Sequence, residues 1–179
     1  MAHPQQKEFV QYVKDKFPQF FTDKRVLEIG SYNINGTMRD FFFACKYIGL
    51  DVMEGHSVDV VCKGHEYKAP RESFDTVLSC ECFEHDPYWK ETFGNMYRLV
   101  RPGGLLFFTC ASTGRPEHGT LKERPQDSLA SGVKEMANYY GNLTEEDFRR
   151  GWTFNAMFSE FEFKVNDFSC DLYFYGIKK

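Results

Sequence analysis

The chain is 179 residues long, enough for one domain around a single sizeable core. A hydrophobic content of 42%, with 17% aromatic residues, excludes a disordered chain, and a formal net charge of −4 gives no general attraction to nucleic acid or an anionic membrane. No apolar run approaches the ~20 residues of a membrane helix, and the polar opening MAHPQQKEF has no signal-peptide core. The six cysteines (Cys45, Cys62, Cys80, Cys82, Cys110, Cys170) are scattered and read as small hydrophobes in a reducing cytosol, so a cytoplasmic protein is expected. Cys80-Glu81-Cys82 lacks the gap of a zinc-binding cysteine pair, and no metal site is expected.

Residues 4–20 carry Phe9, Val10, Val13 and Phe17 at helical spacing and predict an amphipathic helix ended near Pro18. Arg25 to Phe43 follows, reading RVLEIGSYNINGTMRDFFF. Its apolar start predicts a buried strand, Gly30 and the residues to Gly36 a tight loop, and Thr37 onward a helix reaching about Cys45. Glu28, a carboxylate inside the buried strand, needs a hydrogen-bonding partner there. Further apolar runs predict strands at Tyr47–Leu50, Val58–Cys62, Phe74–Ser79 and Leu105–Cys110, with a helical pattern between Asp86 and Val100. Arg101-Pro102-Gly103-Gly104 reads as a stop and turn.

Residues 112–143 break this rhythm, rich in Gly, Ser, Pro and charge, and predict a functional insertion within one domain spanning 1–179. Thr144 reads as a helix N-cap with Asp147 near a capping box, and two closing runs, Phe158–Val165 and Cys170–Ile177, predict an antiparallel pair. The 19 phenylalanines carry no functional message at this level. Strands alternating with helical patterns predict an α/β fold: a Rossmann-like, doubly wound, mostly parallel sheet with a C-terminal antiparallel strand pair and helices on both faces.

Such sheets bind ligands beyond the carboxyl ends of their strands. Those ends present Glu28, Gly30, Ser31, Tyr32, Asn33 and Gly36; then Asp51, Val52 and Met53; then His65 and Glu66; then Ser79, Cys80 and Glu81; with Glu84-His85 beyond. Asp51 lies about twenty residues past Gly30, where a carboxylate can hold a ribose diol. Two cofactor classes use that arrangement, nicotinamide dinucleotides and S-adenosylmethionine. A dinucleotide loop wants glycine where Tyr32 stands, and Glu28 would repel a pyrophosphate but tolerate a cationic, amino-acid-bearing cofactor.

The segments VLEIGSYNINGTMRDFF, YIGLDVMEGHSVDVV and FDTVLSCECFEHDPYWKETFGNMYRLVRPGGLLFFT resemble, in spacing and order, the class I S-adenosylmethionine-dependent methyltransferases of small, single-domain type. The resemblance covers about residues 24 to 111. It implies that the Glu28-to-Gly36 loop lines the methionine half of the cofactor and that Asp51 binds the ribose hydroxyls. Val52 or Met53 would flank the adenine, His65 and Glu66 would contact its edge, and Ser79-Cys80-Glu81 would lie beside the sulfonium. Lys63, where many relatives carry an acid, and Tyr32, in place of a common glycine, depart from the pattern.

Methyl transfer needs a base only for a protonated acceptor. His85 and Glu81 are the expected candidates, with His118 third; the simplest readings are a structural hydrogen bonder for His85, solvent exposure for His118 and solvation for Glu84. The expected function is methyl transfer to a small-molecule acceptor under a lid formed by the insertion, with S-adenosylhomocysteine as product and no nucleic-acid partner. A nicotinamide oxidoreductase and a non-catalytic cofactor-binding module remain open.

Overall fold

The computed structural model describes residues 3–179. Seven strands, β1 (Arg25–Ile29), β2 (Lys46–Asp51), β3 (Val60–Val61), β4 (Phe74–Cys80), β5 (Val100–Ala111), β6 (Phe158–Asn166) and β7 (Asp171–Lys178), form one sheet in the order β3-β2-β1-β4-β5-β7-β6. β1 to β5 are parallel, and β7 runs antiparallel between β5 and β6. The chain winds outward from β1 to β3 and then returns to lay β4 on the other side of β1. The switch point therefore lies between β1 and β4, where Ile29 stands opposite Ser79.

The apolar strands are continuous because both faces are covered. Along β5, Leu106, Phe108 and Cys110 enter one core while Leu105 and Phe107 enter the other. Helix α1 (Pro4–Lys16) lays Phe9, Val10 and Val13 on the second face. Helices α2 (Trp89–Leu99), α3 (Glu145–Gly151) and α4 (Phe154–Met157) cover the first. Helix α3 opens on a full capping box, Thr144 with Asp147, and delivers the wholly buried Phe148 against Phe108, ring centroids 4.6 Å apart. The abundance of phenylalanine has its account here. Short helices and a four-residue α4 bury little backbone-linked surface, so large rings (Phe93, Phe108, Phe148, Phe154, Phe158, Phe174) supply the apolar area instead.

Several elements depart from expectation. No α-helix follows the first loop; a single 3-10 turn, Met38–Phe41, stands in its place. Ala44 takes a left-handed conformation (φ 53°), and Phe43 bridges to Thr22, so Phe41 and Phe42 close the core beside α1 while the exposed Phe43 leads into the next strand instead of winding on. The loop thus has no helix N-terminus to offer a ligand. The N-terminal helix ends at Lys16, with Pro18–Phe20 a separate 3-10 turn. The third strand is only Val60–Val61 at the sheet edge. Arg101–Gly104 does not precede a strand but bulges out of one: Phe74 pairs with Val100, and the next pair is Thr76 with Leu105. Cys80 and Cys110 are buried; the other four cysteines are partly exposed, and all six are free thiols. Among the described residues no helix is long and apolar enough to cross a membrane.

Candidate active site

A cavity with about 650 Å³ of empty space opens at the switch point, over the carboxyl ends of β1, β2 and β4. Glu28, Gly30, Ser31, Tyr32 and Gly36 line it from the first loop, Asp51 and Val52 from the end of β2, and Cys80, Glu81 and His85 from the end of β4. A smaller recess of about 290 Å³ shares Gly30, Asp51 and Val52 and runs under Lys63 and Gly64 to Asp86.

Gly30 makes the loop possible. Its φ is +82°, and a β-carbon there would meet Cβ of Cys82 at 2.6 Å. Asp51 ties the loop to β2: Oδ2 accepts from the Tyr32 amide at 3.0 Å and Oδ1 from the Val52 amide at 2.8 Å. Burial raises its pKa while those two amides pull it down. Glu28 finds the partner its position requires in Tyr47, whose hydroxyl donates to Oε2 at 2.8 Å. Burial nevertheless pushes Glu28 up to about 7, against the opposing pull of Tyr47 and the Arg39 charge. A carboxyl whose folded pKa lies above its unfolded value contributes stability present below the unfolded pKa and lost as pH rises through the folded one. The ligand-free protein is therefore expected to lose thermal stability between pH 4.5 and about 7. Glu28→Gln should flatten that slope in melts across the range; a slope unchanged from the parent would contradict the assignment.

Five expected site residues lie outside the cavity lining. Ser79 is buried with its hydroxyl donating to the Ile29 carbonyl at 2.9 Å, so it locks β4 to β1. Asn33 Oδ1 accepts from the Gly36 amide at 2.7 Å and shapes the loop from behind. The Met53 sulfur packs on Gly132 of the insertion. His65 and Glu66 face away: they line a separate depression with Tyr67, Asn95 and Arg98, because the 3-10 turn Gly64–Glu66 buries its glycine against Thr92 and Ile29 and turns its side chains outward.

The acceptor-side residues also differ from expectation. Glu84 is not solvated and His118 is not exposed; their relative exposures are 0% and 2%. His85 makes no structural hydrogen bond, since neither ring nitrogen has a partner. Burial and the neighbouring His118 push His85 down to about 3, whereas burial and the Glu81 charge push Glu84 up to about 8. For Glu81, burial alone would raise the pKa, but His3 and Arg115 hold it down to about 2.

Other lining residues were not foreseen. Gln6, on the apolar stripe of α1, donates to Thr109 Oγ1 at 3.3 Å and lines the cavity. A polar residue three and four positions before Phe9 and Val10 was the available signal. The insertion contributes Asp127, Ser128, Leu129, Ala130 and Met136. Two 3-10 turns, Pro125–Asp127 and Leu129–Gly132, shape that wall, and no periodicity in its sequence announces it.

A family model described as a methyltransferase domain matches residues 1–165. The chain belongs to this family. Its fold is that of the class I S-adenosylmethionine-dependent methyltransferases. Phosphoethanolamine N-methyltransferase 2 of Caenorhabditis elegans is 29% identical over 79 residues, 44% of this chain and 16% of that protein. The structure of Haemonchus contortus phosphoethanolamine N-methyltransferase 2, in complex with phosphomonomethylethanolamine and S-adenosylhomocysteine, superposes with a TM-score of 0.62 at 18% identity, covering 96% of this chain and 52% of that one. Burkholderia thailandensis 1,6-didemethyltoxoflavin-N1-methyltransferase gives a TM-score of 0.61 at 14% identity, covering 100% of this chain and 92% of that one. The methyltransferase domain thus spans about half or less of the length of its nematode relatives and nearly all of the bacterial one.

Proposed function

We propose that the protein transfers a methyl group from S-adenosylmethionine to a small-molecule acceptor bound in the same cavity. The carrying observation is the pair of carboxylates, Glu28 and Asp51, at adjacent strand ends within one cavity. Ionised Glu28 would repel a pyrophosphate and suits a cationic amino acid, while Asp51 suits the ribose joined to it. The residues present fit that group: Gly30, Ser31 and Tyr32 of the first loop line one cavity together with Asp51 and Val52 from the end of β2. When bound, the cofactor supplies a methyl already activated on a sulfonium. The chain's part is to align and to exclude water. Asp51 and the Val52 backbone would hold the nucleoside, Glu28 the cationic end, and Cys80 and Glu81 would flank the reacting centre.

Neither expected base is tuned near neutrality. Glu81 is held ionised and weakly basic, and the pKa of His85 is pushed well below the ordinary histidine range. The site therefore favours an acceptor whose nucleophilic atom carries a free lone pair on arrival. Calorimetric titration should show binding of S-adenosylhomocysteine and none of NAD. The reverse result would favour an oxidoreductase, and cofactor binding without methyl transfer to any metabolite pool a non-catalytic module. Affinity should also depend on pH. A cationic ligand prefers ionised Glu28, so S-adenosylmethionine should bind more tightly as pH rises through about 7, and Glu28→Gln should remove that component.

Residues 112–143 are proposed as the lid. Its loop 122–136 is closed at the neck by the Leu121 amide donating to the Ala137 carbonyl at 2.8 Å, and Lys63 pins its rim through Glu135 at 2.5 Å. Shortening the loop at that neck is expected to abolish turnover while S-adenosylhomocysteine binding remains measurable. Turnover equal to the parent's would count against a lid.

A further inference from the structure

Bordering the cavity through His85 lies a cluster of buried polar groups. Glu84 and His85, adjacent on the 3-10 turn Phe83–His85, meet His118 of the insertion, and one ligand atom from each lies within 4.8 Å of the other two. All three side chains are buried. Among the described residues, both Glu84 oxygens, both His85 ring nitrogens, His118 Nε2 and the Tyr140 hydroxyl find no hydrogen-bond partner. A polar group so deeply buried is costly unless something satisfies it. The Tyr140 ring stands beside them, 5.6 Å from His85 and 5.1 Å from His118 between ring centroids.

The histidines are prepared for a particular ligand. His118 Nδ1 lies 3.0 Å from the Pro116 carbonyl. Only a protonated nitrogen can make that bond, so in the neutral ring Nε2 presents its lone pair to the cluster. An imidazole fixed through one nitrogen by a backbone carbonyl is the usual arrangement of a metal-ligating histidine. Gly119, at φ +66°, lets the same loop press onto His85; a β-carbon there would meet Cε1 at 2.7 Å.

Among the described residues no lysine or arginine pairs directly with Glu84, on which Arg115 acts only at longer range. Arg115 spends its charge on Asp171 at 2.8 Å and on Glu81 at 3.8 Å. Among the described residues the sole ion-pair neighbour of Glu84 is His85 Nε2, at 4.0 Å. A second triad, His3, Glu81 and Asp171, has similar spacing but is neutralised by Arg115 and by His3 itself, 3.1 Å from Asp171. Of Glu84, His85 and His118 only His85 also lines the cavity, and their ligand atoms, within 4.8 Å of one another, are at a separation that one ion can bridge.

We propose that Glu84, His85 and His118 bind a divalent transition-metal ion, with Zn2+ the best match, at the acceptor end of the cavity. Two imidazole nitrogens and one carboxylate form a donor set for zinc and its neighbours. Magnesium and calcium require more oxygen ligands than the cluster offers. Three protein ligands leave a fourth position open. Because His85 also lines the cavity, an ion there is placed to polarise an acceptor.

The test is metal content of the purified full chain after exposure to Zn2+ and exhaustive dialysis. About one zinc per chain is expected, with a rise in melting temperature on addition of the ion. His118→Ala and Glu84→Gln should each weaken zinc binding by more than about 100-fold. The exposed His56→Ala should leave it unchanged. A variant that failed to fold would leave the Co2+ spectrum of the parent to decide. Visible d–d bands without a thiolate charge-transfer band support the site. Absence of those bands, a thiolate band pointing to cysteines, no stoichiometric zinc, or zinc retained by folded His118→Ala would each overturn it. These readouts need neither cofactor nor acceptor, so they stand apart from the assigned methyl transfer.

Discussion

Asp51→Ala is expected to weaken S-adenosylhomocysteine binding by about 100-fold in calorimetric titration, in a protein that still unfolds cooperatively but at a somewhat lower temperature. A diol held by a carboxylate makes two charge-assisted hydrogen bonds, and losing them costs about 3 kcal/mol in total. The structure adds a second loss. Asp51 also receives the Tyr32 and Val52 amides, one on each oxygen. Without it the first loop keeps the Gly30 and Ser31 amides on the Leu50 carbonyl but loses its tie at Tyr32, and cofactor binding would have to order that part of the loop anew. For the same reason Asp51→Asn is not a mild substitution. One amide would still find a carbonyl oxygen, but the other would face an NH2 group. Asparagine should therefore fall close to alanine, not midway. If Asp51→Ala bound as tightly as the parent, the proposed place of the nucleoside would be wrong.

How much of this could be read from the chain follows from where each signal originates. The parallel strands were legible because burial on both faces leaves uninterrupted apolar runs such as Leu105 to Cys110, and the capping box at Thr144 because a cap is a local pattern. Asp51 was legible because a strand end fixes its distance from Gly30. The missing helix after the first loop was not: Met38, Phe41 and Phe42 have helical spacing, but fewer than ten residues separate Gly36 from β2, and tertiary packing of Met38, Phe41 and Phe42 overrides a weak propensity. Glu84 and His118 were misread for a different reason. Charge and polarity in sequence predict exposure, whereas their burial is created by the insertion folding over the end of β4. His65 and Glu66 failed through a turn of only three residues, which decides the direction of both side chains and leaves no periodic trace.

Phe174→Ala is expected to destabilise the protein by about 4 kcal/mol, lowering the melting temperature by about 10 °C. Phe174 sits at the centre of β7, directly opposite Phe108 on β5 and Phe163 on β6, with ring centroids 5.2 and 4.7 Å away. Phe154 and Phe158 approach it at 5.4 and 5.3 Å. It is fully buried, so removal leaves a ring-sized void among neighbours that cannot all relax inward, since three of them are fixed by strand pairing. Phe174→Leu keeps most of the volume and should cost about 1 to 2 kcal/mol. Phe168 provides the control: it is 87% exposed in the β6–β7 turn, and Phe168→Ala should be within about 0.5 kcal/mol of the parent. The consequence for function should be indirect. The next residues along β7 lead to Asp171, which holds Arg115 of the insertion at 2.8 Å. Below its melting transition Phe174→Ala should therefore keep the parent's affinity for S-adenosylhomocysteine, whose site lies across β4. A loss of affinity in the folded variant would mean that the aromatic core sets the cavity's shape and does not merely support it.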